Sequence, residues 1–144
     1  MHKEQTIELL RQCNAGVKTA VNSIEAVLPR ARDDGFTALL DHYLEKHEAL
    51  GDQIHTALSK AGGHTRAPSA MARMMAGGKI GMKYAMHPND ATIADLMSDG
   101  CAMGVRKLCH VRNQCAGASG EARLLATRLI ETENEMMSRM TPFL

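Results

Sequence analysis

The stretch Asn89–Cys115, NDATIADLMSDGCAMGVRKLCHVRNQC, decides the fold. Pro88 interrupts whatever precedes it, and Asn89 or Asp90 supplies a short polar side chain that can accept from the orphan amides of a helix start. Beyond that start, Ile93, Met97, Cys101 or Gly100, Gly104, Leu108, Val111 and Cys115 recur at three- and four-residue spacing, so the stretch reads as a buried helix. Gly100 and Gly104 are four apart and share a face. A glycine inside a helix costs about 1 kcal/mol relative to alanine. The pair therefore needs a reason: close approach of another helix or a bulky side chain, or room for a ligand or metal.

Working outward, two helices precede this one. Lys3–Leu28 carries the stripe Ile7, Leu10, Asn14, Val17, Val21, Ile24 and Leu28, widened by Cys13, Ala20 and Val27. Pro29 ends it, the charged run Arg30–Asp34 forms a short turn, and Asp33 or Asp34 caps the next helix. Phe36–Lys60 follows with Phe36, Leu40, Tyr43, His47, Leu50, Ile54, Ala57 and Leu58. Gly62-Gly63 stops it in the manner of a left-handed C-terminal cap. Ser69–Met86, SAMARMMAGGKIGMKYAM, combines methionines at helical spacing with three glycines, and reads as a crossover, partly helical, with a kink. After the central helix, Ser119 caps a last helix over Glu121–Met140, with Ala122, Leu125 or Ala126, Leu129, Glu133, Met136 and Met140 facing inward, before Thr141-Pro142 ends it. Four long helices with short first and last turns and a long middle connection make the expected fold all-α: one domain over 1–144, an up-down four-helix bundle with a long Met-rich crossover between helices two and three.

Composition agrees. The chain has 144 residues with eleven Met but only two Phe, two Tyr and no Trp, a core vocabulary that suits helices better than sheets. Seventeen basic residues against sixteen acidic ones give a formal net charge of +1, so there is no electrostatic case for nucleic acid or an anionic membrane surface. No apolar run approaches the ~20 residues of a membrane span, and MHKEQTIELL lacks a secretory apolar core, which makes cytoplasmic residence the expectation. The four cysteines form no C-x-x-C; Cys101 and Cys115 share a face but lie about 21 Å apart at 1.5 Å per residue. They read as small buried hydrophobes in a reducing compartment. Phosphate-binding glycine loops and a nucleophile elbow are absent from the sequence.

Two segments carry a resemblance: Cys13–Gly16 (CNAG) and Ile93–Gly104 (IADLMSDGCAMG), set in the order helix, short turn, helix, Gly-Gly, Met-rich connector, helix, helix. The chain resembles, over nearly its whole length, a branch of the small ferritin-like four-helix-bundle proteins of bacteria that has no assigned activity. The resemblance implies a ferritin-like bundle and raises the question of a di-iron site. Such a site draws one Glu from each of two helices and a Glu-x-x-His from each of the other two. No Glu here has a His three residues on; the nearest match, Asp52-x-x-His55, falls off the core stripe, and the last helix contains no His. A working ferroxidase or di-iron oxygenase is not expected.

Three polar residues remain on core stripes: Asn14, His47 and Glu133. Counting from the turns places Asn14 and His47 at similar heights and Glu133 near Cys101. A buried charge must be paired or hydrogen-bonded. The plain expectation is a buried network that sets helix register; the functional alternative is a single transition-metal ion or small ligand held by His47 and Glu133, with Cys101. The row Glu45, Glu48, Asp52 and His55 reads as a solvated face. The expected function is thus a non-enzymatic bundle with a degenerate metal site that forms a homo-oligomer or docks on another protein. The alternative is a ferritin-like metal-binding protein with a non-standard His/Glu site, and a weaker third is a thiol role for Cys101 or Cys13.

Overall fold

The computed structural model describes residues 2–64 and 84–144, and all regular structure among them is helical. Four long helices dominate: α1 (His2–Val27), α2 (Asp34–Lys60), α3 (Asp90–Gln114) and α4 (Gly120–Met140), with single 3-10 turns at Leu28–Arg30 and Thr141–Phe143. Their starts follow local chemistry. Asp33, Asn89 and Ser119 each hold extended backbone at the N-cap, and their side chains accept from Gly35, Thr92 and Ala122 respectively. At the far end of α2 the chain turns at Gly62, whose φ of +83° is the left-handed value a cap glycine supplies without strain. The expected helix limits therefore hold to within a residue or two. The expected Ser69–Met86 crossover lies outside the described residues except for 84–86, which are helical.

Side-chain-to-backbone bonds at the two ends fix the direction of each helix. At one end, Asp90 in the first turn of α3 accepts from the backbone amides of Arg32 (2.9 Å) and Asp33 (2.8 Å), so α3 begins beside the α1–α2 turn. Tyr84 donates to the Arg30 carbonyl at the same end. At the opposite end, the α3–α4 turn is held by the start of α1: Gln5 accepts from Gly117 N (2.6 Å) and Thr6 from Ser119 N (2.8 Å). Arg11 there donates to the His64 carbonyl. Hence α1 and α4 run one way and α2 and α3 the other, and residues 64 and 84 lie at opposite ends.

α1 packs against α2 on one side and α3 on the other, and α4 against α3 and α2, while α1 and α4 also touch across the centre. The apolar interior falls into two clusters. One surrounds Leu9, Cys13, Leu50, Ile54, Val111 and Leu129; the other surrounds Ile24, Phe36, Tyr43, Ile93, Met97 and Met136, closed by Phe143, whose ring lies tilted against Phe36 with centroids 4.7 Å apart. The expected stripes of α2 and α4 are buried in full. On α1 the face is rotated: Leu9 is fully buried, while Ile7, Val21 and Leu28 are only half-buried, because α1 must serve α2, α3 and α4 at once. Close approach of α1 and α2 comes at Gly51, where a Cβ would lie 2.9 Å from Val17 Cγ1.

That contact corrects an expected height. His47 sits one turn above Gly51, and Asn14 one turn below Val17. At 1.5 Å per residue they are about 10 Å apart along the axis rather than level. The paired glycines on α3 part ways, and only Gly104 has a neighbouring side chain as its reason. Gly100 is exposed, with nothing among the described residues within 4 Å of an added Cβ, and Gly104 faces the Glu133 carboxyl group rather than an approaching helix.

Candidate functional site

Between the two apolar clusters lies a polar centre. His47 is fully buried and Glu133 is 6% exposed, on α2 and α4 respectively. His47 Nε2 lies 2.5 Å from Glu133 Oε1, and His47 Nδ1 lies 2.6 Å from the Tyr43 carbonyl oxygen one turn back. A carbonyl cannot donate, so Nδ1 carries a proton. Burial pulls the imidazole pKa down, but the hydrogen bond to Glu133, the charge of Glu133 and the Tyr43 carbonyl together outweigh it, and the pKa is raised from 6.5. The raised pKa favours the form in which both nitrogens donate, one to the Tyr43 carbonyl and one to Glu133.

Cys101 approaches the same carboxylate from α3. Burial raises its thiol pKa first, and the charge and hydrogen bond of Glu133 raise it further, so the group stays a thiol that donates to Glu133. Cys13 behaves alike elsewhere in the core: burial, with Cys115 adjacent, pushes it up to about 12. Neither has the electropositive, accessible setting that makes a nucleophilic thiolate, and a thiol role for either is without support.

The structure therefore brings together His47, Glu133 and Cys101, with Glu133 at the hub, and leaves Asn14 out. Asn14 is buried (5% exposed) in a different layer. The row Glu45, Glu48, Asp52 and His55 is exposed along α2, as expected of a solvated face.

Two features escaped the sequence reading. The seat of Glu133 is Gly104, where an added Cβ would stand 3.7 Å from Oε2; a glycine on one core stripe opposite a buried carboxylate on another was the available signal. The second is a groove of about 450 Å³ between α1 and α3, with walls that include Ala20, Ile24, Met97, Gly100 and Leu108 and with Glu133, Cys101 and Met136 at its floor. Of the three convergent residues only Glu133 and Cys101 reach it; His47 stands behind Glu133 and orients it.

The donor set does not fit a di-iron centre. One carboxylate and one imidazole, each already engaged with the other, cannot balance two cations, and among the described residues no group of three or more His, Cys, Asp or Glu side chains is placed to hold a metal ion. No helix among the described residues is long and apolar enough to cross a membrane. Comparison with protein-family models, with curated proteins and with solved structures finds no match to the chain.

Proposed function

We propose that this protein is a non-catalytic, ferritin-like four-helix bundle that works by associating with itself or with another protein, and that the His47–Glu133 pair occupies the place a metal centre would take. One observation carries the reading: both nitrogens of His47 are engaged by protein acceptors, the Tyr43 carbonyl and Glu133 Oε1, leaving no imidazole lone pair for a cation. The order of the helices, with one long connection between opposite ends, is the arrangement expected of such a bundle.

The test is elemental analysis of protein purified without chelator, alongside its mass in solution by light scattering. A defined dimer or larger assembly with substoichiometric metal is the expected result. A monomer at every concentration, together with one metal ion per chain that raises the melting temperature, overturns it. A second reading draws on the convergence of His47, Glu133 and Cys101: one transition-metal ion, with His47 surrendering its bond to Glu133. It requires metal-dependent stabilisation that disappears in His47→Ala.

A further inference from the structure

The groove between α1 and α3 is a feature that the helix packing among the described residues leaves unexplained. It follows α1 from Gln12 to Ile24, about 18 Å at 1.5 Å per residue, and is closed below by α4. Its volume of about 450 Å³ is that of a small-molecule site. Glycines on the α3 wall shape the space: among the described residues nothing lies within 4 Å of a Cβ added at Gly100, and one added at Gly104 would stand 3.7 Å from Glu133 Oε2. Much of the wall is apolar, with Gln12, Thr19, Ser23, Asp99 and Lys107 also along it, and one deeply buried carboxyl group, that of Glu133, stands at the floor.

We infer that this groove binds a small aliphatic molecule that ends in an N–H or O–H donor, a primary amine or alcohol, with its head on Glu133 Oε2 and its chain along the apolar wall between α1 and α3. The chemistry of the floor selects the head. Glu133 Oε1 is taken by His47, and a carboxylate oxygen accepts, so a group meeting Oε2 as its partner must donate. The Cys101 thiol already gives its proton to Glu133 and offers a ligand none. The walls select the tail: Ile24, Leu96, Met97, Leu108 and Met136 present hydrocarbon and thioether surface. A fatty carboxylate fits neither way round. Head inward, it sets like charges together; head outward toward Lys107 at the rim, it lays a methyl group on Glu133 and strips water from Oε2 without replacement. This assignment does not depend on whether the protein associates.

The experiment uses the neutral dye Nile red, whose emission rises in apolar sites, with octylamine, octanol and octanoate as competitors at pH 7. Saturable displacement by octylamine and octanol is expected, with octanoate at least tenfold weaker. Gly100→Leu blocks the groove without a backbone clash and with better helix propensity, so it should remain folded by circular dichroism and bind the dye at least tenfold more weakly. Leu124→Gln, in the shallow cleft between α2 and α4, should bind as the parent does. Equal displacement by octanoate, dye binding undiminished in Gly100→Leu, or no saturable displacement by amine or alcohol overturns the assignment.

Discussion

Replacing His47 by leucine removes a bond of 2.5 Å and leaves the Glu133 carboxylate with only 6% of its residue surface exposed and a thiol as its remaining partner. Breaking one side of a buried ion pair costs about 3–5 kcal/mol, because the surviving charge is desolvated without compensation. At 2–4 °C per kcal/mol for a chain near this size, the melting temperature should fall by roughly 10 °C. Glu133→Met should cost a similar amount by stranding the imidazolium. The double variant His47→Leu/Glu133→Met replaces the pair by apolar side chains of similar volume, and should recover to within about 1 kcal/mol of the parent or exceed it. The assay is urea unfolding of all four proteins, read as a double-mutant cycle. Single losses below about 1 kcal/mol, or a double variant that loses the sum of the two, would refute the pairing. The pH dependence has a definite sign. The folded imidazole has a raised pKa, so its contribution is complete below about 6.5, the ordinary histidine value, and is lost as pH rises through the folded value. The parent should lose stability relative to the double variant as pH is raised from 6, and a constant difference would count against the charged pair.

Three further outcomes follow from the geometry. Alkylation of the folded protein at pH 8 should modify Cys109, the one partly exposed thiol, before the buried Cys13, Cys101 and Cys115, which should react only on unfolding; peptide mass spectrometry gives the order. Gly100→Ala should stabilise by about 1 kcal/mol, since its Cβ meets nothing among the described residues, whereas Gly51→Ala should destabilise because its Cβ meets the stiff Val17 side chain at 2.9 Å; urea midpoints moving the same way for both would contradict this. Asp90→Ala should cost about 1–2 kcal/mol by freeing the amides of Arg32 and Asp33, and Asp90→Asn, which keeps one acceptor, about half of that; equal midpoints for parent and Asp90→Ala would show that the turn is held otherwise.

What the sequence determined is the set of helices and the faces they bury. Period-3.6 patterning, Asp33, Asn89 and Ser119 at helix starts and Gly62 at a helix end are local features, written within a few residues of where they act. The same patterning marked His47 and Glu133 as inward-facing, since a polar residue on an apolar stripe stands out in one dimension. Their direct bond was not legible, and nor was the separation of Asn14 from His47. Both depend on axial register, which the approach of Gly51 to Val17 sets and which no count from a turn can fix to within one helical turn. The role of Gly104 was ambiguous for the same reason: a missing side chain says that something needs space, and only the neighbouring helix says what. The α1–α3 groove belongs wholly to tertiary structure. It exists because two helices with small residues on facing sides are each held more firmly by another partner, α1 by α2 and α3 by α4, and a space between elements is a property of their arrangement that neither stretch of sequence contains.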